Sequence, residues 1–574
     1  MVWCCFPRLD GDPIFCKLLQ PRGPEDGCFA IRLVDHIASE QYYLRNTAIL
    51  ITELTDRSGG RIRVTDFIPR FKQHGRSFRP TAIMRKVEPL SGNPRIIVDV
   101  SPRFDYGREI PQVTLGSNHL RFLNPSMTVR LTTDASVHYI RERRSFVLTA
   151  PVHFILGSDE TIAGSVPDIV RDFFEQTHSY WIEWTRYLSV PFEWQEAVIR
   201  AAITLKLCSF EETGAVIAAM TTSIPEAPES GRNWDYRYCW LRDAYFTVHA
   251  LNRLGATRTM QEFIGYIDNV VALEPSAILK PVYGLIPSAN LDENIAPDFD
   301  GYRGMGPVRI GNQASRQIQN DSYGSVILAA AQMFFDHRLP RMGTPDLFWR
   351  LERLGQVASE VALRPDAGLW EYRGRQRVHS YSAAMCWAAC DRLSKIAAVL
   401  QLADRRDFWR REATRIRDVL LQRAWNEKRR TFVESFDGED LDASLLLLHE
   451  IGLIAADDPR FSATVDVIGR ELKLGNMLFR YRAKDDFGVP ENAFTVCASW
   501  YTDALAALGR KTEARQIFRD LLNRRTKLGL LSEDVDPQSG ELWGNFPQSY
   551  SMVGLVVSAM RLSKTWEEAF WRGW

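Results

Sequence analysis

A chain of 574 residues with 45% hydrophobic, 25% charged and 11% aromatic side chains has the apolar material for one large core and a second domain, and disordered or collagen-like compositions are excluded. Seventy-one Lys and Arg balance seventy-one Asp and Glu, so no global field draws the chain to nucleic acid or an anionic membrane, and neither is expected as a partner. Nine cysteines, an odd number with Cys386, Cys390 and Cys497 inside apolar helical patterns, read as reduced, buried thiols. The N-terminus lacks the basic start and apolar run of a secretory signal. No window approaches the roughly 18 consecutive apolar residues of a membrane span. A cytoplasmic protein is expected, with a homo-oligomer left open.

From Met1 to Val166, short runs of β-branched and aromatic residues are broken by Gly, Pro, Asn and Asp. AILITELTDR, GRIRVTDFI, RIIVDVSPRF, MTVRLTT, SVHYIRERR and SFVLTAPVHFIL predict strands of an all-β domain over residues 1–166. Residues 167–190 change period. Ile169, Val170, Phe173, Phe174, Trp181 and Trp184 fall on one helical face behind Pro167, which predicts a helical linker. Over residues 191–574 the strand signal fades, and helices are predicted to begin near Glu193, Arg242, Thr257, Asp321, Pro345, Tyr381, Arg405, Ala443, Pro459, Ala493, Thr512 and Ser549.

These twelve helices alternate in character. AFTVCASWYTDALAAL and YSAAMCWAACDRL are apolar on nearly all sides, whereas TEARQIFRDLLNRR and RRDFWRREATRIRDVLL carry an apolar stripe opposite a charged face. Six helical hairpins closed into a ring account for that alternation, with the apolar set inside. The expected architecture is an N-terminal antiparallel β-sandwich followed by an (α/α)6 barrel. NWDYRYCW, QIQNDSYG, LWEYRGRQRVHS, FDGEDLD, FGVPEN and LSEDVDPQSGELWGNFPQ lead into the inner helices. If those helices share one direction, the six loops meet at one end of the barrel, where a site is expected.

Glycoside hydrolysis needs one protonated carboxyl group for the leaving oxygen and a second carboxylate to activate water or attack carbon. Glu371 follows Trp370 and precedes an inner helix, so an aromatic ring stands ready to exclude water and raise its pKa. Glu533 lies in LLSEDVDP beside Asp534 and Asp536. Asn233 to Asp243 packs aromatics, Arg and Asp directly before and into a helix, and Arg242 and Asp243 there suit sugar hydroxyls or a braced loop. HExxH, GxxxxGK[ST] and CxxC are absent, so zinc, P-loop and dithiol chemistry lack their usual residues. No metal and no cofactor are expected.

TTSIPE, NWDYRYCWLRDA, GLWEYRG, CWAACDR, PENAF, LLSEDVDP and GNFPQSYS occur in an order that resembles glycoside hydrolase family 15, particularly its prokaryotic trehalase-like branch. WCCFPRLD, QYYLRNTAILIT and VTDFIPR resemble that branch's N-terminal β-sandwich. The resemblance implies an inverting, exo-acting α-glucoside hydrolase in which Glu371 is the acid and Glu533 the base. Inversion needs room for a water molecule, which implies carboxyl groups about 6.5–9.5 Å apart. It also implies that Trp234, Asp235, Arg237, Trp240, Arg242, Asp243 and Trp370, with Glu491 and Gln548, bind the glucose unit. Two departures stand out: the chain begins almost on the WCCFP string, where the family usually has a preceding strand, and Met552 takes a place where trehalase-like members often have His. Trehalose is the leading substrate. Malto- or isomalto-oligosaccharide hydrolysis, an inverting disaccharide phosphorylase and a catalytically silent sugar-binding protein remain as alternatives.

Overall fold

The computed structural model describes residues 1–22, 27–274 and 276–571. They form two compact units.

The first unit comprises Met1–Leu188 together with Ala296–Val308 and Thr526–Gly529. Its main sheet has eight antiparallel strands in the order Gln112–Leu115, His119–Asn124, Met127–Thr133, Val152–Ser158, Ala82–Ser91, Arg61–Phe67, Leu50–Asp56 and His36–Tyr43. A three-stranded sheet, Phe146–Val147, Arg95–Ser101 and Cys28–Leu33, completes the sandwich. Period-two alternation decides which side chains enter the core. Phe154 and Leu156 join Phe29, Ile62, Val64, Val98 and Leu131 between the sheets, while Ile155 turns to the opposite face. There the helix Val166–Arg186 covers Ile51, Phe67 and Met84 with Val166 and Val170.

Three sequence expectations change here. The segment read as a separate linker is this helix, packed on the sheet as part of the first unit. SVHYIRERR is not a strand: Val137–Arg141 is a short helix that ends before Arg143, whose φ is +49°. Val137 and Ile140, three apart, both reach the core, while Tyr139 stays exposed, so helical spacing prevails over the apparent alternation. Linear boundaries also miss Ala296–Val308, which joins the first unit through the Asp300 N–H on Gln20 O (3.0 Å) and an Arg22–Asp300 ion pair (2.7 Å).

The second unit is the helical barrel. Leu241–Arg253, Asp321–Ala331, Ser380–Val399, Ala443–Leu446 continued by Leu447–Glu450, Thr495–Ala507 and Ser549–Leu562 form the inner ring, which closes where the last of these packs on the first. Gln195–Cys208, Thr257–Leu273, Pro345–Val361, Ala403–Arg423, Pro459–Glu471 and Lys511–Asn523 lie outside. Composition sets the layer. Ser380–Val399 buries small residues such as Ala383, Ala384, Ala388 and Ala389 that let neighbours approach, whereas Ala403–Arg423 buries only Trp409, Ala413, Ile416 and Leu420. Met552 is fully buried among the inner helices. Among the described residues no helix is long and apolar enough to cross a membrane.

Candidate active site

The loops entering the inner helices surround one cavity of about 780 Å³, including the part open to solvent. Its deeper wall carries Trp240, Arg242, Asp243, Gln548 and Tyr550, all nearly inaccessible. Trp234, Arg373, Asp486 and Phe487 lie toward the opening and are more exposed.

Glu371 lines this cavity, with 22% of its side chain exposed. Its backbone is in the left-handed region (φ +63°), in a loop where Gly368 also has positive φ (+67°). A Cβ at Gly368 would stand 2.8 Å from the His379 ring, so glycine permits the loop to lie directly against that imidazole. Such φ values at a non-glycine residue cost energy and persist where surrounding contacts enforce them. Those contacts are on hand. Tyr372 stacks on His379 at 5.7 Å and 13°, and the His379 Nδ1 lies 3.0 Å from Glu434 Oε1. Burial opposes charge on His379, but Glu434 and Asp366 outweigh it and raise its pKa, while Glu434 is held at about 2 against the effect of its own burial.

The Glu371 carboxyl accepts from Trp240 Nε1 (2.5 Å) and Gln319 Nε2 (3.4 Å), and Arg242 NH2 stands 3.7 Å away. Burial raises its pKa above the ordinary glutamate value, with Arg242 the main opposing influence. Arg242 is fixed by Gln319 Oε1 (3.0 Å) and Asp321 Oδ2 (2.9 Å). Asp243 beside it is pushed up to about 6 by burial. Trp370 is oriented by Asp442, which accepts its Nε1–H at 2.7 Å.

Glu533 has no exposed surface and does not itself line the cavity; its neighbours Glu226 and Tyr236 do. One carboxylate oxygen accepts from Asn545 N (3.3 Å), and the other has no hydrogen-bond partner among the described residues. Gly544, at φ +75°, makes this approach possible, since a Cβ there would fall 2.6 Å from Glu533 Cβ and 2.8 Å from its carboxylate. Asn545 then ties three strings of the sequence together: its side chain accepts from Thr221 Oγ1 (2.9 Å) and donates to Trp234 O (2.8 Å). Burial first, and the charge of Glu226 second, raise the pKa of Glu533.

Glu226, Glu533 and Asp534 bring carboxylate oxygens within 4.8 Å of one another, a grouping with the geometry to hold a metal ion. A cation there would compete with Arg480, which already holds Glu226 Oε2 at 2.6 Å.

The structure thus brings Trp234, Trp240, Arg242, Asp243, Trp370, Glu371 and Gln548 to one cavity. Asp235 and Arg237 are not on it. They are each other's partners (Nε–Oδ1 2.9 Å, NH2–Oδ2 2.8 Å), with no side-chain exposure, and brace the loop from behind. Glu491 is exposed and off the cavity; the adjacent Asn492 is the buried one, donating to Glu226 O (2.8 Å). Sequence reading missed Glu226, Arg480, Gln319 and Tyr550. Glu226 closes the TTSIPE string, Tyr550 lies in GNFPQSYS and Gln319 in QIQNDSYG, so these three had a signal; Arg480 had none.

An (α/α)6 barrel whose loops gather carboxyl groups, Arg and Trp around one cavity supplies the residue types that glycoside hydrolysis needs. The family model for glycosyl hydrolases family 15 matches residues 194–560, and that for the trehalase-like N-terminal domain matches residues 1–151. The chain belongs to glycosyl hydrolase family 15. It is 29% identical to a trehalase of Thermoplasma volcanium over 98% of this chain and 90% of that one. It is 31% identical to a trehalase of Mycobacterium tuberculosis over 99% and 87%. A bacterial glucoamylase complexed with acarbose superposes with a TM-score of 0.66 at 14% identity, covering 92% of this chain and 86% of that one, a likeness of fold.

Proposed function

We propose that this O-glycosyl hydrolase cleaves trehalose with inversion, Glu371 acting as general acid and Glu533 as general base. The observation that carries the reading is a pair of carboxyl groups, Glu371 on the wall of one cavity with its pKa raised by burial as an acid requires, and Glu533 just behind that wall beside Tyr236. Glu371 is exposed to the cavity and receives two hydrogen bonds, so its remaining lone pairs and proton can address a leaving oxygen. Glu533 interacts with Tyr236 on the cavity wall, which suits a base that takes a proton from water entering from that side. Arg242, Asp243 and Gln548 supply polar contacts for hydroxyls, and Trp240 and Trp370 supply apolar faces.

Trehalases that align over 98–99% of the chain support trehalose over longer α-glucans as substrate. A cytoplasmic setting belongs to the same reading, supported by nine free cysteines, seven of them buried. Glucose release from trehalose, maltose and isomaltose is the test, with and without inorganic phosphate. The reading expects trehalose to be preferred, phosphate to appear in no product, and Glu533→Gln to abolish turnover. Glucose 1-phosphate formation would replace hydrolysis with phosphorolysis, and release from maltose alone would replace the substrate.

A further inference from the structure

One guanidinium joins four loops at the mouth of the cavity. Arg373, two residues after Glu371, makes a forked ion pair with Glu293 (NH1–Oε1 3.0 Å, NH2–Oε2 2.8 Å). Its Cζ lies 4.4 Å from the centre of the Trp234 ring and 5.7 Å from that of Phe487. Those two rings meet edge to face at 5.0 Å. The Arg373 backbone N–H donates to Asp486 Oδ2 at 2.7 Å. Loops carrying Trp234, Glu293, Arg373 and Phe487 are therefore tied through a single side chain.

The tie has firm anchors on both sides. Arg309 donates to the same Glu293 through Nε (3.1 Å) and also lies over Trp234 at 5.0 Å. The loop bearing Phe487 is held by Asp485, which makes a forked pair with Arg232 (2.8 and 2.5 Å) with both side chains only 5% exposed. Arg373 and Glu293 are 20% and 16% exposed, so their pair is shielded more than an ordinary surface bridge, and the fork fixes its direction. Gly374 lets Asp486 come close, since a Cβ there would stand 2.4 Å from its Oδ1.

We infer that Arg373, clamped by Glu293 against Trp234 and Phe487, is a specificity-determining residue that closes the cavity mouth and restricts the site to disaccharides. The inference rests on the reading of the cavity as a sugar site. A longer glucan entering by its non-reducing end must run its third and later rings out through the mouth. With the clamp shut, those rings meet the guanidinium and its stacked aromatics, and admitting them means breaking a shielded ion pair without replacing it. Rejection by an unpaired charge discriminates more sharply than a merely poor fit.

The test uses the full-length protein bearing Glu371→Gln, so that binding is read without turnover, titrated calorimetrically with trehalose, maltose and maltotetraose. The clamp predicts that maltotetraose binds at least about tenfold more weakly than the better disaccharide. Adding Arg373→Ala, or Glu293→Gln as a milder second variant, should shrink that ratio by about tenfold, and Arg373→Lys, which keeps charge but not the fork, should fall between. Maltotetraose binding as well as the disaccharides to the clamped protein, or a ratio unmoved by both openings, overturns the inference. Wild-type protein that releases no glucose from trehalose defeats the substrate reading alone, because the size ratio is read separately. Failure of all three sugars to bind defeats both.

Discussion

The two carboxyl groups assigned to catalysis sit in opposite surroundings. Glu371 faces the cavity, receives hydrogen bonds from the neutral donors Trp240 and Gln319, and has a cation, Arg242, at 3.7 Å. Glu533 is sealed from solvent among two further carboxylates, with Arg480 as the main opposing cation. Burial raises both, but on one side an arginine moderates the effect, and on the other a neighbouring negative charge deepens it. The proposed acid is thus a group whose position is elaborately held, and the proposed base is a group whose charge is regulated by its neighbours.

The largest effects separate the two by the leaving group. Glu371→Gln is expected to cut trehalose hydrolysis by about 10²–10⁴-fold while sparing α-glucosyl fluoride, whose fluoride departs without a donated proton. Glu533→Gln should lose both substrates by a similar factor, and steady-state kinetics on the pair distinguishes them. Equal losses on both substrates for Glu371→Gln would remove it as the acid.

Next in size is the scaffold beneath the acid. His379→Asn removes the ring on which Tyr372 stacks and against which Gly368 lies. A loosened Glu371 loop should lower kcat on trehalose by about 10–100-fold with a much smaller effect on α-glucosyl fluoride. A uniform loss on both would mean His379 serves stability only.

How much of this was legible in the chain differs between its halves. The twelve barrel helices announce themselves because burial on all sides and burial along one stripe leave different residue patterns, as in Ser380–Val399 against Ala403–Arg423. Val137–Arg141 did not, since a single turn is too short for its period to beat a chance alternation. Glu371 drew notice through its Trp neighbour, and the structure places it on the cavity wall. Asp235 and Arg237 misled because a charged pair in an aromatic loop looks the same whether it faces a ligand or itself. Glu226 and Arg480, 254 residues apart in the chain, pair beside Glu533, a proximity that only the closed barrel creates.

Smaller effects probe the base. Gly544→Ala places a methyl group against the Glu533 side chain and imposes a strained φ, so a loss of about 1–3 kcal/mol is expected by chemical denaturation, together with reduced kcat. Glu226→Gln tests its electrostatics. The Glu226 charge disfavours ionised Glu533, so neutralising it lowers the Glu533 pKa, and the limb of the pH–kcat/KM profile governed by Glu533 should move to lower pH by about one unit. A limb that stays fixed, or moves up, would show that Glu226 does not tune the base.

The most direct test of the central claim is proton NMR of trehalose hydrolysis, followed at the anomeric signals before mutarotation. Attack by water at one of the two α-linked carbons with inversion must release one β-glucose and one α-glucose, so equal early signals, absent in Glu371→Gln, are expected. Early α-glucose alone would mean retention and would contradict the assignment of Glu371 and Glu533 as an acid and base pair acting on water.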